Sequence, residues 1–353
     1  MTETLIQAYT PLIFWTGLGI IICRFLPNSF PRLLGRSLYW VGIPIEIFAL
    51  ARQTEFSPQA GLAPLITIGS LVSALGMAWV TLALILNRQR SLQALPSPPP
   101  PDSPTPSETP IAAPDLAKEP LPEEPSFAEP ELLSLAESRS RQGSFLVSSM
   151  LGNTGFVGLA VAPVFISPPD QSWLVLYSVT QNVVGTYGIG VFLASYFGRS
   201  PQGNRALQLL RDVITVPSLW AFAIGLLTRA ISLPEIVESG IHASIWLVIP
   251  AALLLMGMRL SQLRGWKSLK GAIAPTILKA IVLPIVVGLA GLGLHLPADP
   301  RLALVLMAGM PTAFAGLILA EEYELDRELI ASSIVLTTVL LLVTIPIWLL
   351  VFG

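Results

Sequence analysis

The sequence predicts an all-α membrane protein with ten transmembrane helices in two inverted five-helix repeats, the fourth and ninth helices broken where they cross. Three observations carry that expectation. Of the 353 residues 53% are hydrophobic and 12% charged, and the mean hydropathy is +0.69, well away from a soluble domain of this length. A window of roughly 20 residues, the span of a hydrocarbon core, picks out ten apolar segments, centred near Thr16, Val41, Ser73, Gly155, Val184, Ala221, Pro250, Val286, Met307 and Leu340. The chain also matches itself: TGFVGLAVA (Thr154 to Ala162) aligns with TAFAGLILA (Thr312 to Ala320).

The first three helices fall in residues 1–87. The start MTETLIQAYTPLIF has no basic n-region, and its apolar segment runs on to Phe25 without a small-residue cleavage pattern, so it reads as a helix and not as a cleavable signal peptide. Pro11 in TPLIFWTGLGII corresponds to Pro217 in VPSLWAFAIGLL, Gly19 to Gly225, and Ile43-Pro44 to Ile249-Pro250. Helix 2 carries Glu46, about 10 Å from its outer end at roughly 1.5 Å per residue. An intramembrane carboxylate is a functional candidate by default. It serves either proton coupling or a scaffold in which it is paired, protonated or reached by water.

Residues 88–141 break the apolar pattern with LPSPPPPDSPTPSETP and the acidic KEPLPEEPSFAEPELL. Such a stretch buries too little apolar surface to offset its ordering entropy, so it reads as a disordered loop, either a tether or a docking segment for a partner. Helices 4 and 5 follow in residues 142–197, and helices 6 to 10 in residues 206–353. Pro44 and Thr154 stand about fifty residues further apart than Pro250 and Thr312, close to the length of the proline-rich loop, which is therefore an insertion into the first repeat. Five helices per unit is an odd number, so the second unit is upside down. Inverted repeats of this kind are the architecture of secondary transporters, with a site near the midplane where interrupted helices meet.

Threading the helices with the N-terminus outside gathers Arg24, Arg32, Arg36, Arg88, Arg90, Lys118, Arg139, Arg141, Arg199, Arg205, Arg211, Arg259, Arg264, Lys267, Lys270 and Arg327 on the inner side. Only Arg52, Arg229 and Arg301 stay outside. This asymmetry follows the positive-inside rule and makes the proline-rich loop cytoplasmic in a multi-pass plasma (inner) membrane protein surrounded by lipid. A net charge of −2 with scattered basic residues excludes a nucleic-acid stripe. The lone Cys23 excludes an internal disulfide and a Cys-rich metal site, and no cofactor is expected. The apolar segments hold no G-x-S-x-G, no H-E-x-x-H and no Asp pair, which argues against an enzyme.

The helix breakers carry the chemistry. Gly152, Gly155 and Gly158 permit local unwinding around Asn153 and Thr154, while Pro311, ahead of Thr312, removes an amide donor and disfavours helical geometry at Met310. Broken backbone at membrane depth is tolerated only inside protein or around a water-filled cavity. Free amides and the positive N-terminal ends of half-helices would hold a small anion there without a buried Arg or Lys. Close helix packing is the other reading of the glycines. Gln181 and Asn182 place two amides beside the crossing, lining the site or joining helices. Lys279 lies two to three turns inside helix 8 and either snorkels to headgroups or attracts the anion. Glu321 and Glu322 read as solvated charges at the exit of helix 9, and His242 and His295, at helix ends on the outer side, receive no role.

These residues also carry a resemblance. GNTGFVGLAV resembles the Asn-Thr-Gly-aromatic-x-Gly-Leu-Pro-Leu motif of the auxin efflux carrier (AEC) family, within the bile/arsenite/riboflavin transporter-like superfamily, and MPTAFAGLILAEEYELD resembles its Met-Pro-Ser-Ala-x-Asn-x-x-x-Leu-Ala-x-x-Tyr counterpart. SSIVLTTVLLLVTIPIWLL is similar to the family's closing helix and MGMRLS to the end of its seventh. The family's proline falls on Ala160 and its second asparagine on Ala315. The resemblance implies a scaffold of helices 1, 2, 6 and 7, and a mobile transport domain of helices 3 to 5 and 8 to 10 working as an elevator. It further implies a homodimer through helices 2 and 7, and carriage of a small organic anion, auxin-like or malate/malonate-like. Asn153 is carried over as a donor to the anion's carboxylate. The substrate-binding set is then Asn153, Thr154, Gly155, Gly158, Gln181, Asn182, Pro311 and Thr312, with Glu46 and Lys279 as coupling candidates. Since 100 mV is worth about 2.3 kcal/mol per charge, an inside-negative potential favours monoanion efflux by a factor of about fifty without a coupling ion. A sodium- or proton-coupled symporter of bile-acid type and a non-transporting receptor or scaffold are the alternatives.

Overall fold

A computed structural model of the chain describes residues 2–27, 29–53, 59–93, 139–198, 211, 214, 215, 217–262 and 267–353. Among these every regular element is a helix, and β pairing is confined to a single bridge between Gly152 and Thr312. The proline-rich loop and its docking role fall on residues 94–138, outside the described residues. Its edges differ from expectation: the preceding helix continues past Arg88 to Gln93, and the next begins at Arg139.

The helices are α1 (Thr2–Ile22), α2 (Phe30–Ser37), α3 (Ile43–Gln53), α4 (Leu62–Gln93), α5 (Arg139–Met150), α6 (Gln171–Thr180) and α7 (Val191–Phe197). Then come α8 (Pro217–Leu227), α9 (Glu235–Ser261), α10 (Lys267–Ile277), α11 (Leu283–Gly293), α12 (Ala298–Ala308), α13 (Ala315–Tyr323) and α14 (Arg327–Phe352). Among the described residues four stretches are long and apolar enough to cross a bilayer as single helices: Leu62–Arg88, Glu235–Ser261, Leu269–Gly293 and Arg327–Phe352. The apolar helices Tyr9–Ile22 and Thr154–Phe165 are shorter. Where the sequence leads one to expect further continuous spans, the helices are interrupted.

Widened π turns account for several interruptions, at Leu38–Gly42, Thr154–Gly158, Gln181–Gly190 and Leu278–Val282. Two have a readable cause. Pro44 and Pro284 each stand two residues beyond a π turn, where the ring lacks an N–H and crowds the carbonyl four residues back; an expanded turn relieves both. The long π stretch contains Gly185, Gly188 and Gly190, which lower the resistance of the backbone to rewinding.

Packing sorts the helices into two groups. α1 lies against α9, and α3 against both α8 and α9. The α1/α9 contact is backbone to backbone: a Cβ on Gly19 would lie 2.1 Å from the Leu254 carbonyl oxygen, and one on Gly257 would lie 1.9 Å from that of Thr16. Arg52 at the end of α3 donates to the Thr228 and Ile231 carbonyls beyond α8. In the second group α10 packs on α14, α11 on α12, and α5 on α4, α7 and α14. Asp326 ties this group together, since one carboxylate oxygen caps α14 at the Leu329 N–H (3.0 Å) and the other pairs with Arg141 Nε (2.8 Å) on α5.

Candidate functional site

The two broken helices meet in mirrored fashion. α5 ends at Met150 and α12 at Ala308, which occupy corresponding positions in the aligned motifs, four residues ahead of Thr154 and Thr312. Past those points the two segments of the chain pair. The Asn153 N–H donates to the Pro311 carbonyl (2.7 Å) and the Ala313 N–H to the Leu151 carbonyl (2.8 Å), on either side of the Gly152/Thr312 bridge. Each break thereby satisfies backbone groups of the other, as non-helical backbone away from water requires. Thr312 completes the junction: its N–H donates to Thr337 Oγ1 (3.0 Å) and its hydroxyl to the Ser148 carbonyl (3.0 Å).

The C-terminal carbonyls exposed by the breaks find side-chain donors. Gln181 Nε2 donates to the Met150 carbonyl (3.3 Å), and Lys279 Nζ to the Ala308 carbonyl (2.5 Å). A cation at that position complements the negative end of a half-helix. Lys279 is fully buried, so the snorkelling reading does not hold. Its neighbours are helix ends, and its aliphatic stem and amine are enclosed.

The N-terminal ends face the opposite way. The π turn at Thr154–Gly158, closed by the Gly158 N–H on the Asn153 carbonyl (3.0 Å), and the start of α13 both open onto a small cavity of about 20 Å³. Asn153, Gly155 and Phe156 line it from the first break, and Ala313, Phe314 and Ala315 from the second. Asn182 joins them, its Nδ2 donating to the Ser178 carbonyl (2.9 Å). Ile43 and Glu46 of α3 close the remaining side. Glu46 is 3% exposed, its Oε1 has no hydrogen-bond partner among the described residues, and a Cβ on Gly155 would lie 3.5 Å from that oxygen.

The residues singled out in the sequence therefore divide. Asn153, Gly155, Asn182 and Glu46 converge on the cavity, whereas Gln181, Lys279, Pro311 and Thr312 hold the breaks together behind it. Thr154 is fully buried and does not line the cavity. Gly158 is a close-packing position, where a Cβ would meet Met307 Sδ at 2.9 Å. Phe156 and Phe314 received no role from the sequence, although the repeated motif aligns them; nor did Thr337, although it stands in the Thr-Thr of the closing helix that resembles the family's.

A larger cavity of about 390 Å³ lies elsewhere, lined by Arg32, Arg36, Tyr39, Trp40, Glu321, Glu322 and Arg327 among others. Glu321 is not a solvated loop charge: it sits in the last turns of α13, pairs with Arg259 (3.0 Å) on α9, and lies 3.8 Å from Arg327.

Comparison with known proteins agrees with a membrane protein of this type. The family described as membrane transport protein matches residues 133–349, more than half of the chain. The chain is similar to the uncharacterized transporter MJ1031 of Methanocaldococcus jannaschii, 27% identical over 216 residues, covering 58% of this chain and 67% of that one. An uncharacterized transporter of Methanothermobacter thermautotrophicus is 26% identical over 208 residues, covering 57% and 65%. The uncharacterized transporter YfdV of Escherichia coli K12 is 25% identical over 199 residues, covering 55% and 63%. The chain thus spans about two thirds of the length of the curated relatives it matches.

Proposed function

The chain belongs to the membrane transport protein family, that of the auxin efflux carriers, and from that premise we propose that it is a secondary transporter moving a small organic anion by alternating access. The observation that carries the reading is the paired break. Two half-helix N-termini and the Asn153 and Asn182 amides surround one cavity, a donor set suited to a carboxylate. Paired interrupted helices of this sort are how transporters build a site at membrane depth.

The same reading arranges the chain as ten helices in two inverted repeats, with the N-terminus outside the plasma membrane. Residues 1–87 with 142–197 form one repeat and 206–353 the other. The two packing groups support a division into a scaffold, containing α1, α3, α8 and α9, and a mobile unit holding both breaks. An elevator stroke of that unit would carry the cavity past α3 and α9, and would part Arg259 from Glu321. Two copies join through α3 and α9. Without a coupling ion, the inside-negative potential drives the anion outward.

The test is flux of radiolabelled indole-3-acetate and malonate in proteoliposomes under an imposed potential. The native chain should show potential-dependent flux that Asn153→Ala abolishes. Flux equal in both proteins removes the crossing as the site, and absence of flux for every acid, with or without sodium and proton gradients, removes the carrier reading.

A further inference from the structure

Glu46 is the odd member of an anion site. Two positive half-helix ends and two amides face the cavity, yet the charged group closing it is itself a carboxyl, 3% exposed and with Oε1 unpartnered among the described residues. Its oxygens lie 3.5 and 3.8 Å from the position of a Cβ on Gly155, at the opening turn of the first half-helix. The cavity left beside it is about 20 Å³, room for about one water molecule. No organic anion fits there while the Glu46 carboxyl stays in place.

We infer that Glu46 is the built-in occupant of the anion position, and that a substrate carboxylate replaces the Glu46 carboxylate there, one charge for one charge. The inference rests on the carrier reading and deepens it in two ways. The preferred substrate class is a monocarboxylate, because the second charge of a dicarboxylate finds, among the described residues lining the cavity, neither a second carboxylate to replace nor a cation to pair with. Lys279 is already engaged with the Ala308 carbonyl behind Gly152. Binding also takes up a proton: two ionised carboxylates at one dry site repel each other, so the displaced Glu46 carboxylate accepts H⁺ from solvent and becomes a neutral acid. The charge of the site is then the same before and after binding; the proton stays on α3 of the scaffold, so the mobile unit still carries the anion's charge across the membrane.

Other titratable groups on the surrounding elements bear on the test. The π turn before α3 carries Tyr39, which meets Tyr187 edge to face at 5.7 Å, and α6 carries Tyr177, hydrogen-bonded to Ser70. α8 carries no titratable residue, and α9 carries Glu235, Glu238 and His242 towards its start and Arg259 in its last turn. Arg52, on α3 itself, is held by the Thr228 and Ile231 carbonyls and lies 3.8 Å from Glu238. Lys279 lies behind Gly152, and loss of its proton would also weaken anion binding at high pH.

The experiment uses the full chain in detergent with radiolabelled indole-3-acetate and malonate as probes. Binding is measured from about pH 6 to about pH 9, where a simple carboxylic acid is ionised, and proton uptake is followed with an indicator dye in weak buffer. Towards the alkaline end of that range the native chain should take up one proton per indole-3-acetate and lose affinity by up to about tenfold per pH unit, and it should bind indole-3-acetate more tightly than malonate throughout. Glu46→Gln should bind indole-3-acetate with an affinity independent of pH and without proton uptake. Binding to the native chain without uptake overturns the inference and leaves the carrier reading standing; so does an unchanged pH slope in Glu46→Gln, which would assign the titration to Lys279. Tighter binding of malonate overturns the charge-for-charge replacement. If neither acid binds either protein, the carrier reading fails and this inference with it.

Discussion

The Lys279 ammonium occupies the space that a side chain on Gly152 would need: a Cβ there would lie 2.9 Å from Nζ and 3.2 Å from Cε. One residue thus explains two sequence features. Gly152 leaves room for the amine, and the amine terminates the half-helix that ends at Ala308. Lys279→Met should leave that carbonyl unpaired in a buried setting. The cost, about 1–3 kcal/mol, is offset by no longer burying an ammonium. The variant should remain folded and monodisperse while indole-3-acetate flux falls by about tenfold or more, since a charge-assisted hydrogen bond is worth roughly 1.5–3 kcal/mol. Full flux in Lys279→Met would mean that the break keeps its geometry without the cap.

Gly155 separates size from chemistry at the cavity. A Cβ at this position meets Asn182 Nδ2 at 3.4 Å and Glu46 Oε1 at 3.5 Å, near ordinary contact. Gly155→Ala should therefore fold and transport, whereas Gly155→Leu fills the cavity and should reduce flux by about tenfold or more, in line with the cost of overpacking. Equal flux in the two variants would place the pathway outside this cavity.

The α1/α9 contact tolerates no side chain at Gly257, whose Cβ would lie 1.9 Å from the Thr16 carbonyl oxygen. Gly257→Val should destabilise the protein by on the order of 3 kcal/mol, read as a lowered thermal midpoint in detergent. Gly76→Val on α4, away from the α3 and α9 dimer face, is the control: among the described residues nothing lies within 4 Å of its Cβ position, and the change should stay within about 0.5 kcal/mol.

Asp326 makes two separable contacts, the cap on the Leu329 N–H and the pair with Arg141. Asp326→Asn keeps a capping oxygen and gives up the ion pair, which is only partly shielded from solvent and contributes about 1 kcal/mol or less. Asp326→Ala removes both and should cost about 1–2 kcal/mol more through loss of the cap. Equal midpoints for the two variants would show that the cap contributes nothing.

The sequence by itself determined the membrane as solvent, the breaks at Gly152 and Pro311, and the likeness of TGFVGLAVA to TAFAGLILA. Each depends on composition, local backbone chemistry or self-similarity, and each is legible without neighbours. The tertiary structure decided which side chains meet. Gln181 and Asn182 are adjacent in sequence, yet Gln181 reaches the Met150 carbonyl while Asn182 faces the cavity. Successive residues on a helix point about 100° apart, and the π stretch beginning at Gln181 shifts the register further. Glu46 showed only its depth in the sequence; its place against Gly155 depends on how α3 is rotated. For Lys279 the sequence leaves two readings open, reaching for headgroups or attracting the anion, and its burial against the end of α12 removes the first. Hydrophobic periodicity would set that rotation in water, where one face must be buried. In a bilayer both faces of a helix are apolar, so close packing at the glycines and proline-induced π turns set it instead, and these act only once the helices touch.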